Sequence, residues 1–279
     1  MKKTEEHIER LKKWFDEQTS VLIALSGGVD SCLVAYIARL WLGKENAVAV
    51  ISDSASLKAK DLEDARKFCK TYDIKLDIVD ANEIEDPNYA SNPIDRCYYC
   101  KTALYDEIFR LADQNYPGYA ILNGNNYSDL GDYRPGMKAA DEHKVLSPLS
   151  ECELEKPEIR AISAYFDMFI WNKPASPCLS SRLPYGESIT IEKLHIIEEA
   201  ENLLNEYGFL EVRVRYMEGG NARIEVPANQ IEQLSLKTNE ITTKLKKIGF
   251  ENVMVDEEGL VSGKLNRAIK DLKVDTPGS

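Results

Sequence analysis

Ser20-Val-Leu-Ile-Ala-Leu25 runs straight into Ser26-Gly27-Gly28-Val29-Asp30-Ser31, and a further apolar stretch spans residues 32–42. The first run is short and continuously apolar, which reads as a buried parallel strand. Residues 32–42 read as a helix. The hexapeptide between them is then a strand-to-helix loop, where a helix N-terminus offers free amides and the positive end of its dipole to an anion. Gly27 and Gly28 let the backbone turn and approach a ligand closely, and Ser26 and Ser31 add hydroxyls. Asp30 is the odd residue, because a carboxylate repels phosphates unless a cation bridges the two; it is read as a Mg2+ ligand. The loop is neither GxxxxGK[ST], which needs its lysine, nor GxGxxG. The rival reading is an ordinary capped turn.

Working outward, residues 4–17 carry apolar positions at helical spacing, 47–51 and 74–79 read as strands, 57–72 as a charged helix, 105–114 as a helix and 119–122 as a strand. Strands alternating with helices imply an α/β fold with a parallel sheet covered on both faces. Its ligand site belongs at the carboxyl ends of the strands, where residues 26–31 and 123–126 both fall. Beyond the Pro-rich stretch 174–188 the texture changes. A helix over 191–207, a hairpin over 211–226, a helix over 229–248 and a strand over 252–256 predict a smaller α+β domain. The expected division is 1–178 and 179–275. No internal repeat is seen.

The chain has 279 residues and a net charge of -12. Phosphate backbones are bound by basic surfaces, so this balance argues against a nucleic-acid partner. No secretory leader is visible at the N-terminus and no apolar run reaches membrane length, so a cytoplasmic protein with no membrane partner and reduced thiols is expected. The six cysteines, Cys32, Cys69, Cys97, Cys100, Cys152 and Cys178, are then core residues or do chemistry rather than forming a disulfide framework.

Ser26-Gly-Gly-Val-Asp-Ser31 resembles the signature of the PP-loop ATP pyrophosphatases. Four more stretches narrow the resemblance: Cys97-Tyr-Tyr-Cys100-Lys101; Asn123-Gly-Asn125-Asn126 with Asp129-Leu-Gly-Asp132-Tyr-Arg134-Pro-Gly136; Pro174-Ala-Ser-Pro-Cys178-Leu-Ser-Ser-Arg182-Leu-Pro-Tyr-Gly186; and Val212-Arg213-Val-Arg215. Together, from about residue 20 to 265, they resemble the LarE-type sulfur transferases of nickel-pincer nucleotide biosynthesis. The resemblance implies a PP-loop domain followed by a smaller substrate-binding and oligomerising domain, and hence a homo-oligomer. It implies that ATP adenylylates a carboxylate of a pyridinium mononucleotide, the small-molecule substrate, and that sulfur then displaces AMP to leave a thiocarboxylate. Asn125 and Asn126 would help bind ATP, though loop polarity also explains them. Lys101, Arg134, Arg182, Arg213 and Arg215 suit phosphates and carboxylates; Arg213 and Arg215 could equally be a solvated strand face. Asp129 and Asp132 are either functional or turn formers. Glu201 and Glu225 are either metal ligands at a subunit contact or solvated acids.

Cys178 matches the motif cysteine of the family. In one branch this cysteine surrenders its own sulfur; in another, three cysteines hold a [4Fe-4S] cluster whose open iron carries sulfide from a donor. Cys97 and Cys100 accompany Cys178 here, and three thiolates leave one iron of a cubane without a protein ligand, which favours the cluster. Zinc on the three thiolates with a fourth ligand from His or water, or a redox pair at Cys97 and Cys100, are the alternatives. Cys32, Cys69 and Cys152 lack partner spacing and read as structural. Competing functions are an ATP-dependent amide ligase, a tRNA thiolase, which Val29 and the net charge disfavour, and a nucleotide sensor.

Overall fold

The computed structural model describes residues 2–131, 134–261 and 263–267. In chain order its elements are α1 (Lys2–Phe15), β1 (Val21–Ala24), α2 (Val29–Leu42), β2 (Ala47–Ser52), α3 (Ala59–Thr71), β3 (Lys75–Val79), α4 (Pro87–Ala90), α5 (Arg96–Asn115), β4 (Ala120–Leu122), α6 (Pro135–Glu142), α7 (Pro148–Glu151), α8 (Lys156–Tyr165), α9 (Ile191–Glu206), β5 (Arg213–Met217), β6 (Asn221–Glu225), α10 (Ile231–Ile248) and β7 (Val253–Val255). They form two compact units. One comprises Met1–Glu83 and Asp95–Ser176, the other Ile84–Ile94 and Pro177–Ser279. The short segment Ile84–Ile94 thus belongs with the second unit, although it lies within the stretch that the sequence assigns to the first domain.

In the first unit all four strands are parallel, in the order β3-β2-β1-β4. Side chains alternate across a strand, and the two central strands, β1 and β2, are buried on both faces. Val21, Ile23, Ala47, Ala49 and Ile51 point into one apolar cluster with Leu11, Phe15, Leu33, Ile37, Phe68, Ile159 and Ile162. Leu22, Ala24, Val48 and Val50 point into another with Leu104, Tyr105, Ile108 and Ala139. The double burial explains why β1 is written as an unbroken apolar run rather than an alternating one. The order also makes a switch point. From β1 the chain winds out to β2 and β3, then returns to the other side of β1 as β4. The loops after β1 and β4 therefore leave the sheet side by side, which is where doubly wound sheets bind ligands.

The second unit pairs β5 with β6 antiparallel and β6 with β7 parallel. One face packs on α9 and α10 through Val214, Ala222, Ile224, Leu204, Leu234, Ile241 and Leu245.

Two helices begin earlier than the sequence suggests. Helix α2 starts at Val29, capped by Gly28, so Asp30 and Ser31 lie in its first turn rather than in a loop before it. Helix α5 starts at Arg96, nine residues ahead of the expected start at 105. Its opening turns hold Cys97, Tyr98, Tyr99 and Cys100, poor helix formers, and the periodic apolar signal begins only at Leu104.

The join between β1 and β4 is tight. A Cβ on Gly124 would sit 2.6 Å from the Ser31 amide nitrogen and 2.8 Å from its Cα. Both are backbone atoms of a buried helix start and cannot yield. Gly124→Ala is expected to cost about 2 kcal/mol of stability, in the range of overpacking substitutions, read as a lower urea midpoint at unchanged slope.

Candidate functional site

The loop between β1 and α2 closes on itself through its two serines. The Ser26 N–H donates to Ser31 Oγ at 3.0 Å, and the two hydroxyls lie 3.0 Å apart. Ser31 Oγ also lies 3.3 Å from the Gly28 carbonyl and can donate to it. Gly27 has φ +72°, a conformation that side chains rarely tolerate. The turn thus leaves the first amides of α2, which have no partner within the helix, at the carboxyl end of β1.

Three buried polar atoms around this point have no hydrogen-bond partner among the described residues: Asp30 Oδ1, Asn123 Nδ2 and Asn126 Oδ1. Buried polar atoms are nearly always paired, so a carboxylate oxygen, an amide donor and an amide acceptor left over together mark a ligand site. The rest of the Asn123–Asn126 loop is fixed from within. Asn123 Oδ1 accepts from the Asn125 N–H at 3.0 Å and from Ser147 Oγ at 2.9 Å. The Asn126 N–H donates to Asp129 Oδ2 at 3.1 Å. Asp129 in turn pairs with Arg134 at 2.9 Å. Asp132 lies outside the described residues. Two positions beyond Arg134, the backbone of α6 packs against Lys101 and the Cys97 carbonyl. A connected run of contacts therefore leads from Ser31 to the start of α5.

Cys97 and Cys100 are one helical turn apart, on one face of α5. Cys97 is exposed and Cys100 half-buried. The helix lets both sulfurs address one ligand. Cys32, Cys69 and Cys152 are buried, and burial pushes the Cys69 thiol up to about 12 and the Cys152 thiol to about 11. They are protonated packing residues, as expected of structural cysteines. Among the described residues no three His, Cys, Asp or Glu side chains converge to hold a metal ion.

Sequence reasoning missed Lys156 and the clamp formed by Lys173, Ser176, Asp61 and Asp64 in this unit. Lys156 donates to Asp30 Oδ2. Lys173 lies 3.0 Å from both Asp61 and Asp64, and Ser176 Oγ donates to Asp61 Oδ2 at 2.6 Å. The Asp61 carbonyl backs Gly27, so the clamp fastens Lys173 and Ser176 behind the Ser26–Ser31 loop. The available signals were faint: a lysine just inside a helix start, and one just before Pro174.

In the second unit Cys178 is exposed and caps a short helical turn, Leu179–Arg182. Its carbonyl accepts from Ser181 Oγ at 2.7 Å and from Arg182 at 3.2 Å. Arg182 is 1% exposed and grips Glu201 with two hydrogen bonds of 2.7 and 3.0 Å. It also holds the Pro177 carbonyl at 2.8 Å. Its guanidinium is committed to shaping the cysteine segment, so the geometry makes it a positioning residue. Arg215 likewise donates to the Ser181 carbonyl and to Glu225, both at 2.7 Å. Glu201 and Glu225 are thus buried partners of arginines rather than solvated acids. A sequence does not show which acid faces which arginine. Arg213 differs. It is half-buried and makes no hydrogen bond or ion pair among the described residues. Burial, then the charges of Arg215 and Arg182, lowers its pKa. A half-buried guanidinium crowded by two others attracts an anion.

The predicted residues therefore fall into two groups. Ser26, Gly27, Gly28, Asp30, Ser31, Asn125, Asn126, Cys97, Cys100, Lys101 and Arg134 belong to the first unit, and Cys178, Arg182, Arg213 and Arg215 to the second. No described helix is long and apolar enough to cross a membrane.

The sequence profile of NAD synthase matches residues 4–94. An uncharacterised protein of Synechocystis is 45% identical over 95% of this chain and 98% of its own length. The pyridinium-3,5-bisthiocarboxylic acid mononucleotide synthase of Lactiplantibacillus plantarum is 32% identical, covering 92% of each chain. The glutamine-hydrolysing GMP synthase of Thermotoga maritima is 28% identical over 72% of this chain but only 43% of its own.

The clamp behind the loop carries a pH signature. Burial alone would raise the Asp64 carboxyl, but Lys173 and Lys60 outweigh it and hold it below its ordinary 3.8. Burial would lower Lys173, but Asp61 and Asp64 hold it above its ordinary 10.5. A carboxyl depressed in the folded state contributes stability that is full above its unfolded pKa and is lost as pH falls through the folded one. Asp64→Asn is therefore expected to lower the urea midpoint at pH 6 and to flatten its decline below about pH 4. Equal slopes for both proteins would contradict the pairing.

Proposed function

We infer the reaction of this chain from its family: it belongs, with the Lactiplantibacillus plantarum synthase, to the LarE-type sulfur transferases of the PP-loop ATP pyrophosphatase superfamily. It is an ATP-dependent, sulfur-transferring enzyme. Its substrate is a pyridinium mononucleotide carboxylate, and its product the corresponding thiocarboxylate. The observation that carries this reading is the set of unpartnered polar atoms of Asp30, Asn123 and Asn126 beside the serine-locked loop.

Two displacements make up the reaction. A carboxylate oxygen of the substrate attacks the α-phosphorus of ATP, the bond to the bridging oxygen breaks, and pyrophosphate leaves. Sulfide then attacks the activated carbonyl carbon, the carbon–oxygen bond breaks, and AMP leaves. The amides at the start of α2, with Ser26 and Ser31, hold the departing pyrophosphate, where charge grows as the bond breaks. Asn125 and Asn126 contact the nucleotide. The orphaned Asp30 Oδ1 fits a hard oxygen-seeking cation, and Mg2+ there would neutralise phosphate charge. Lys101 and Arg134 offset the charge of the adenylylated carboxylate. Arg213, with Arg215 behind it, takes the phosphate of the pyridinium nucleotide, and Arg182 keeps Cys178 in place. The second unit serves as the substrate-binding and oligomerising domain. Its exposed Ile191, Leu210, Leu236 and Met254 support a homo-oligomer.

For the sulfur source, Cys97, Cys100 and Cys178 would hold a [4Fe-4S] cluster, whose free iron would supply sulfide taken from an external donor. The pairing of Cys97 and Cys100 on one accessible helical face supports this. Anaerobic reconstitution with iron and sulfide should yield about four irons and four acid-labile sulfides per chain, with loss of both in Cys97→Ala and repeated turnover in the wild type. An iron-free protein whose Cys178 loses the mass of one sulfur after a single turnover would replace the cluster with a sacrificial cysteine.

A further inference from the structure

Lys156 stands against a local rule. It is the first residue of α8, with Pro157 after it, at the helix end where the dipole disfavours a positive charge. Helix α8 does not need it there. Ile159 and Ile162 are fully buried and fasten the helix to the core, and Glu158 supplies the acid that a first turn prefers. Lys156 instead reaches one oxygen of Asp30, while the other oxygen of the same carboxylate is buried without a partner. Its side chain is 37% exposed and that of Asp30 is 20% exposed. Such a pair adds little stability by itself, which leaves its place at the nucleotide loop to be explained by function.

We propose that Lys156 is a positioning residue that holds Asp30 as a stand-in for the divalent cation and gives it up only when cation and ATP arrive together. This rests on the ATP-using reading of the loop. Charge governs the exchange. Before nucleotide binds, Asp30 would face either a bare cation or Lys156. The ammonium satisfies it and repels a lone cation. ATP reverses the balance, because its phosphates bring negative charge that both the cation and the displaced ammonium can meet. Lys156 thereby couples the two ligands: each binds weakly alone and tightly with the other, and by linkage the coupling is the same in either direction.

The test is Mn2+ binding to the intact protein, followed by electron paramagnetic resonance, with and without α,β-methylene-ATP. Wild type should bind Mn2+ weakly alone and much more tightly with the analogue. Lys156→Gln should bind Mn2+ alone at least about tenfold more tightly than wild type, within the usual span of coupling factors, and the analogue should then add correspondingly less. Lys156→Arg, which keeps the charge, should behave as wild type. Adding Asp30→Asn to Lys156→Gln should abolish the gain. Equal Mn2+ affinities for wild type and Lys156→Gln without nucleotide would overturn the proposal, as would a gain shared by Lys156→Arg or one that survives Asp30→Asn. Neither pyridinium substrate nor sulfur is involved, so a failure of the sulfur-transfer reading leaves this result standing, and the reverse also holds.

Discussion

Asp30 occupies the first turn of α2, surrounded by groups suited to anions: free helix amides, the hydroxyls of Ser26 and Ser31, and a helix dipole that favours negative charge. A carboxylate in that position is at odds with a polyphosphate ligand until a cation intervenes. Lys156 meets one of its oxygens and the other is left over. Much of the first unit follows from holding this arrangement still. The Ser26–Ser31 lock fixes the turn, Gly124 brings the β4 loop against the start of α2, and the Asp61 clamp ties Lys173 and Ser176 behind Gly27.

The second unit resolves a similar problem with the signs reversed. Arg182 and Arg215 are buried, and each is neutralised by its own buried glutamate, Glu201 and Glu225. Breaking such a pair would strand a charge in a dry interior, at a cost of about 3–5 kcal/mol. Arg213 has no such partner among the described residues. The contrast divides labour among three neighbouring arginines: two order the cysteine-bearing segment and the strand, and the third is the one we propose to meet an anion. The segment Ile84–Ile94 contributes to the same order, since Tyr89 bonds Ser180 and Asn92 holds the Pro184 carbonyl.

The parallel sheet was legible because β1 and β2 are buried on both faces and so appear as unbroken apolar runs. The nucleotide loop was legible because its chemistry lies in six consecutive residues. The early start of α5 was not, because Cys97, Tyr98, Tyr99 and Cys100 serve a site rather than helix propensity. The roles of Arg182, Glu201 and Glu225 were hidden because which charge pairs with which is a tertiary fact: Arg182 and Glu201 lie nineteen positions apart and meet only once α9 has packed. Lys156 was hidden for the same reason, since it meets Asp30 across 126 positions of sequence.

The central claim is that a substrate carboxylate attacks the α-phosphorus of ATP. It is tested most directly by supplying the pyridinium mononucleotide with its carboxylates labelled with oxygen-18 and examining AMP and pyrophosphate by mass spectrometry. Adenylylation followed by attack of sulfur at carbon leaves one labelled oxygen in AMP and none in pyrophosphate. AMP without the label, formed while the thiocarboxylate accumulates, would contradict the account.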